Sequence, residues 1–424
     1  MEKRIKKLGY DLHLLPTKKF KTINLSFKFV TNLSRDKVTK RALLPYLLQQ
    51  GTKNYPTAIQ LRQKLDELYG AVLHIDSSKK GEHNILTVRL ELANQRYIKN
   101  QENLLTKALT LLEEIVYQPR VVDGAFDPKL VEREKQTLKN KMIALTEDKM
   151  SYANTRLIEE MCEQEPYQLR VHGYEEDLEE ITPSVLYDYY QQMLQEDRLD
   201  VFVVGDLDGL DVEPILEKLL QRKQQVEMEK TSINVATKEE ATLIEYDQIQ
   251  QAKLHLGYRT NITYDDKDYA TLHVFNGLFG GFPNSKLFLN VREKHSLAYY
   301  AASRIESHKG LLFVFSGIAP DQYEKAREII LEQMEQMRKG DFSDDQIAET
   351  KEMTINQLRE TLDNPQGMIE LTYQKVLAKS NKTITELIEE VQSVTRDQIV
   401  KVANQIQLDK IFLLTSEGAK PDEK

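Results

Sequence analysis

Three kinds of side chain in this 424-residue sequence could carry catalysis or tight binding: eight histidines, one cysteine, and a guanidinium–phenol pair. A zinc helix needs two His four residues apart on one face, with a Glu between them as base. His13, His74, His83, His172, His255, His273, His295 and His308 contain no such pair. They read as surface or satisfied core residues; His255 faces out of an alternating strand and His273 stands alone on a helix. Cys162 is the only cysteine, so neither an intramolecular disulfide nor a thiolate–zinc cluster can form. Arg292 and Tyr299, in VREKHSLAY, supply a forked donor and a hydroxyl. On spacing alone Arg292 pairs with Glu293 or a neighbouring helix, and Tyr299 belongs to a core. Gly277, Gly280 and Gly281 precede a Pro-Asn turn and read as a helix end followed by that turn. No GxGxxG spacing exists for a nucleotide.

The elements that must position these residues occur twice. INLSFKFVTNL (23–33) and AKLHLGYRTNI (252–262) both alternate apolar and polar residues, the period of a half-buried strand. Each precedes an apolar helix that runs out at glycine: RALLPYLLQQGT (41–52), with Pro45 in its middle, and TLHVFNGLFGG (271–281). LRQKLDELYGAVL (61–73) then matches LFLNVREKHSLAY (287–299) in length. Both halves close with an amphipathic helix feeding an apolar strand, LDVFVVGD (199–206) and LDKIFLLTS (408–416). Four matches in one order mean a duplication, with a period too long for a solenoid. We expect domains at 1–223 and 241–424, joined by the charged linker 224–240. Alternating neighbouring strands with long helices predict the α+β class, each domain a largely antiparallel sheet with helices on one face. The stretch 145–167 is amphipathic and acidic and reads as a solvated helix face; 417–424 reads as a frayed tail.

Composition limits the function. An apolar fraction of 40% and a charged fraction of 29% describe a globular chain. A net charge of −9 argues against nucleic-acid binding. The basic N-terminus lacks a following apolar run, and no segment is long enough to span a bilayer, so a reducing cytoplasm is the expected compartment.

The duplication and two stretches carry a resemblance. GGFPNSKLFLNVREKHSLAYY (280–300) resembles the second-domain signature of the pitrilysin/insulinase metallopeptidases, and EPYQLRVHGYEEDLEEIT (165–182) resembles their late first-domain segment. The nearer branch is that of the bacterial and mitochondrial processing peptidases, and the likeness covers nearly the whole chain. Active members carry His-x-x-Glu-His shortly before a Gly-Thr pair. Anchored on Gly51-Thr52, that motif falls on Ala42, Pro45 and Tyr46. The distant zinc-binding acid falls within 132–142, where the family's paired acids align with Asn140 and Lys141, or with a shift of a few residues with Glu132 and Glu134. The resemblance thus implies a chain with no metal or cofactor of its own. Pro45 adds a bend to a helix whose two ligands would have to converge.

In the family a second-domain Arg and Tyr hold substrate, which implies that role for Arg292 and Tyr299. Gly280 and Gly281 correspond to a glycine-rich substrate loop of the non-catalytic processing-peptidase subunit. His295 and Ser296 stand where a basic residue and glycine are usual, implying a reshaped loop. The expected function is a non-catalytic subunit that pairs with a zinc-bearing relative, or with itself in isolation, to act on peptides or unfolded protein. The alternatives are a structural scaffold and, least favoured, an active enzyme with a misplaced metal motif.

Overall fold

The computed structural model describes residues 2–99, 103–228 and 241–417. The chain forms two compact units. The first contains a six-stranded sheet: β1 (Lys3–Lys6), β2 (Asp11–Pro16), β3 (Thr22–Asn32), β4 (Val72–Lys80), β5 (His83–Ala93) and, after the small hairpin β6 (Val121–Val122) and β7 (Ala125–Phe126), β8 (Arg198–Gly205). The spatial order is β1-β2-β8-β3-β5-β4. The second contains β9 (Ala241–Tyr246), β10 (Ala252–Arg259), β11 (Ala298–Glu306), β12 (Leu311–Ile318) and β13 (Gln407–Thr415), ordered β11-β12-β10-β13-β9.

Reversed, the second order is β9-β13-β10-β12-β11, which superposes on β2-β8-β3-β5-β4. β2–β8 and β9–β13 are both parallel, and every other pairing in the two sheets is antiparallel. The duplication read from the sequence is therefore a duplication of topology. β3 and β10, the most clearly alternating stretches, are the central strands. One face of β10 sends Leu254, Leu256 and Tyr258 into the helical core.

Helices α1 (Val38–Leu48), α2 (Ala58–Glu67), α3 (Leu104–Tyr117) and α4 (Pro128–Glu147) fill out the first half, with α5 (Lys149–Met161) and α6 (Pro183–Glu196) after them. α2 begins with a complete capping box, Thr57 with Gln60, and α6 with Thr182 capping and Pro183 in the first turn.

Two segments leave the order that the sequence predicts. Leu145–Gln168 belongs to the second unit and Leu362–Glu370 to the first, so 1–223 is not one body. The linker positions 229–240 and the tail positions 418–424 lie outside the described residues. The stretch 145–167 is not a solvated face. Ala153, Leu157, Ile158, Met161 and Cys162 are buried, packed with Phe313, Phe412 and Leu414 on the sheet face opposite the main helices. The second sheet is thus covered on both faces, where helices on one face were expected. Arg259 fastens this layer: it donates to Asp409 (2.6 Å), to the Met161 carbonyl (2.6 Å) and to Glu165 (2.7 Å).

The outer face of the first sheet carries an ionic cluster. His13 is fully buried, with Nε2 3.2 Å from Asp200 Oδ1 and Nδ1 2.9 Å from Glu2 Oε1. Arg198 bridges Asp200 (2.8 Å) and Asp11 (3.0 Å), and Arg4 also reaches Asp11. Burial opposes a charge on His13, but the bonds to Asp200 and Glu2 outweigh it and raise its pKa above 6.5. Asp200, though buried, is held down to about 2 by Arg198 and then His13. A pKa raised on folding stabilises fully below the unfolded value and loses that contribution as pH climbs through the folded value; a depressed carboxylate does so on falling pH. Chain stability, followed as the urea midpoint, should fall as pH rises through the His13 titration above 6.5, and separately as pH falls from 3.8 towards 2. In His13→Asn the alkaline fall should vanish.

Candidate functional site

α1 is a regular helix despite Pro45. The proline has no N–H for the Arg41 carbonyl, which would leave a buried acceptor unpaired. Ser77 on β4 supplies the missing donor, its hydroxyl 3.3 Å from that carbonyl. Arg41 itself is completely buried. It donates to Asn84 (3.0 Å), Asp197 (2.6 Å), Tyr189 and the Phe29 carbonyl. After α1, Gly51 has φ +148°, and a Cβ there would lie 2.7 Å from the Tyr55 carbonyl oxygen. Thr52 and the Asn54 N–H both bond the buried Glu114 carboxylate. The Gly-Thr pair therefore closes a turn, whatever else its neighbours do.

Ala42 and Pro45 are buried and Tyr46 is half-buried. Ala42 and Pro45 carry no donor atom and Tyr46 is not one of the usual zinc ligands, so the group implied by the motif does not fit these residues. Asn140 and Lys141 are exposed, while Val131, Glu134 and Leu138 form the buried face of α4. Burial first, and then the Glu134 charge, raise the pKa of the Tyr46 hydroxyl. The charge of Glu134 therefore reaches Tyr46, and Glu134 is itself paired with Arg133 at 2.7 Å. Among the described residues the one cluster with metal-ligating spacing is Asp11, His13 and Asp200. Arg4 and Arg198 already occupy its carboxylates, so a metal there would face two guanidiniums. His255 is buried, edge-on to Phe315, with no hydrogen-bond partner among the described residues for either ring nitrogen, and burial pushes its pKa down to about 3. It is a neutral core residue and does not face solvent.

Arg292 and Tyr299 meet in the second unit. Both line a cleft of about 580 Å³, together with Gln250, Gln251, Glu293 and Ser296. Arg292 lies on a wide-turned helical segment, Phe288–Lys294, with its guanidinium carbon 4.6 Å from the Phe288 ring centre. Its Nε is 3.5 Å from Glu293, a loose contact that leaves the side chain 42% exposed. Tyr299 is 77% exposed rather than core. The β11–β12 register slips between Ala298 and Tyr300, so Tyr299 is the extra residue of a β-bulge. Bulges re-aim side chains in this way at the edges of sheets. Tyr300, its tandem neighbour, is turned away: its ring packs on Gly317, and burial pushes its pKa up to about 12. Ser296 keeps a left-handed backbone, φ +51°, a conformation that glycine adopts without strain. Gly280 and Gly281 do not line the cleft. Gly280 is buried where a Cβ would come within 2.7 Å of the Ser303 backbone nitrogen, which explains the glycine by packing.

The description "Peptidase M16 inactive domain" matches residues 180–354. A Bacillus subtilis protein named "Probable inactive metalloprotease YmfF" is 46% identical over 97% of each chain. The chain belongs to the M16 peptidase family. A second Bacillus subtilis relative, "Uncharacterized zinc protease YmxG", is 23% identical over 59% of this chain and 61% of its own. The crystal structure of a conserved protein from Enterococcus faecalis V583 is similar at 35% identity and TM-score 0.89, covering 99% of this chain and all of that one. The M16 fold is thus present throughout, while the residues at 42, 45 and 46 are not those of a zinc site.

Two outcomes are expected. Ser77→Ala strands the Arg41 carbonyl and should lower stability by about 1–3 kcal/mol; in a Pro45→Ala background, where the helix N–H returns, the same change should matter much less. Urea unfolding of the four chains of this cycle measures the difference. Separately, the triple variant Ala42→His, Pro45→Glu, Tyr46→His should bind about one equivalent of zinc through the two His and Glu134, and adding Glu134→Gln should abolish it. Metal analysis of the dialysed proteins decides this; a triple variant with no zinc would show that Glu134 does not complete the set.

Proposed function

We propose that this chain is a non-catalytic M16 subunit that holds an extended peptide for a zinc-bearing relative to cleave. The observation that carries the reading is the contrast between two places. The helix α1 has been filled for packing, with Ala42, Pro45 and Tyr46 where ligands and base would stand. The second unit instead keeps an accessible Arg292 and Tyr299 on one cleft. The relative named as a probable inactive metalloprotease, which spans this chain almost end to end, supports the same reading.

The chemistry follows from the side chains. The guanidinium offers a planar fork of donors and lies against the Phe288 ring. The Tyr299 hydroxyl adds a donor that the bulge holds out of the sheet. Together they can orient a peptide carbonyl, and orientation of a scissile bond is a contribution that a chain without a nucleophile can still make. The relative supplies metal and base. The single cysteine, Cys162, is buried and leaves no intramolecular disulfide to form, which suits a reducing compartment.

Co-expression with a zinc-bearing M16 chain should give a stable pair that cleaves unstructured peptides. Arg292→Ala should reduce that cleavage by about tenfold or more without dissolving the pair. A stable pair with no gain in proteolysis would favour a scaffold instead. Stoichiometric zinc and peptide cleavage by this chain alone would end the proposal.

A further inference from the structure

β1 is the most weakly held strand of the first sheet. It is four residues long, mostly exposed, and pairs with β2 alone. In the second sheet β9 occupies the place of β2, and no strand lies beyond it among the described residues. β1 is therefore an addition to the shared plan, and the sheet is complete without it.

Two ion pairs fasten this strand. Glu2 reaches His13 Nδ1 at 2.9 Å, and Arg4 reaches Asp11. The groups that would stay behind on β2 and β8 have other support. Arg198 donates to Asp200 from two nitrogens, both at 2.8 Å, and to Asp11 at 3.0 Å. The far end of β1 is anchored separately. Lys7 bonds Glu213 and Glu217 on α7 (Val212–Leu219), and its N–H donates to the Tyr10 carbonyl at 2.9 Å. Gly9 lies so close to Arg222 that a Cβ there would collide with it. A β1 that comes away would thus pivot on the turn at 7–10 and open from Glu2.

His13 decides between the two states. Its ring is buried, stacked on Phe202 with 4.5 Å between ring centres, and has a carboxylate at each nitrogen. The other charges around it are Arg4, its ladder partner on β1, Asp11 on its own strand and Arg198 on β8. β3 contributes Lys28, the ladder partner of Asp200, which is bonded to Glu370 at 2.6 Å. An imidazolium has two N–H donors and serves both carboxylates, whereas a neutral imidazole has one. That one must stay with Asp200, which is completely buried and cannot turn to water. The Nδ1 lone pair then faces Glu2, and two acceptors repel. Glu2 lies beyond the end of β1 and is free to swing into solvent. Burial opposes the charged ring, but the bonds to Asp200 and Glu2 raise its pKa above 6.5, so the ring is charged in mild acid and neutral in alkali.

We infer that β1 is a strap: protonated His13 holds it on β2 through Glu2, and neutral His13 releases it and opens the outer edge of β2. Closed, the strap blocks that edge to any other strand. Open, it bares the main chain of Asp11–Pro16.

Hydrogen exchange of the full chain, read by mass spectrometry and corrected for the chemical rate, tests this. Fragments covering 2–7 should lose about tenfold or more in protection between about pH 5.5 and about pH 8.5. They should do so in a time that leaves β3, β5 and β8 unexchanged. In Glu2→Gln the amide can accept from the charged ring or donate to the neutral one, so the difference between the two pH values should nearly disappear. Equal protection of 2–7 at both pH values in the unaltered chain overturns the inference. Exchange of 2–7 only together with β3, β5 and β8 also overturns it, because the whole unit would then be opening. A full pH difference persisting in Glu2→Gln would show that Glu2 is not the latch.

Discussion

Each unit is organised round a buried arginine. A guanidinium cannot shed its charge on burial, so every donor must find an acceptor inside the protein. Arg41 draws its acceptors from three other elements: the Phe29 carbonyl on β3, Asn84 on β5, and Tyr189 and Asp197 from α6 and its end. Those bonds fix where α1 lies against the sheet. Arg259 does the same for the second sheet, joining β10 to Asp409 on β13, to Met161 at the end of α5 and to Glu165 beyond it. Lys309 closes that network on Glu165 at 2.6 Å. Stranding one partner of such a buried pair costs about 3–5 kcal/mol, a large share of a domain's net stability. These contacts constrain the elements regardless of whether any chemistry remains on them.

That constraint accounts for the state of α1. Its neighbours need a helix at this place with Arg41 at this phase, but they need nothing that ligates metal. Ala42 and Pro45 satisfy the packing, and the defect that Pro45 introduces is met locally by Ser77. The turn beyond is held by Gly51 and by Thr52 on Glu114. Glu134 persists beside Tyr46 because a buried carboxylate with Arg133 as partner is tolerated there. A catalytic helix can thus lose its function while its frame stays in place.

The sequence revealed most where a pattern is local. The alternation in 23–33 and 252–262 identifies two central strands because residues on opposite sheet faces differ in environment. Phase within a helix was harder to recover. The family's paired acids align with Asn140 and Lys141, with Glu132 and Glu134 close by, and only the helical phase shows that 131, 134 and 138 form the inward face of α4. Contacts between distant segments left no signal: nothing in 145–167 says that its apolar side will cover a second sheet. The His13 cluster is equally invisible, since Asp200 is remote in sequence from Asp11 and Glu2. The tandem tyrosines at 299 and 300 are separated by a bulge, which depends on the pairing with β12 and not on either residue.

The duplication finally explains why the two halves can diverge so unequally. β4 and β11 occupy equivalent places, each the last strand of its sheet among the described residues. What an edge offers a peptide is main chain, so substitution of side chains in a neighbouring helix leaves it intact. A zinc site is the opposite case: it depends on three or four particular side chains meeting at one point, and one wrong residue disables it. Mutation therefore removes the metal chemistry of this fold far more easily than its capacity to pair with an extended chain. Arg292 and Tyr299 need only a supporting ring, a bulge and exposure to solvent, and all three are present in the second unit. On these physical terms the loss of a metal site leaves the proposed peptide recognition untouched.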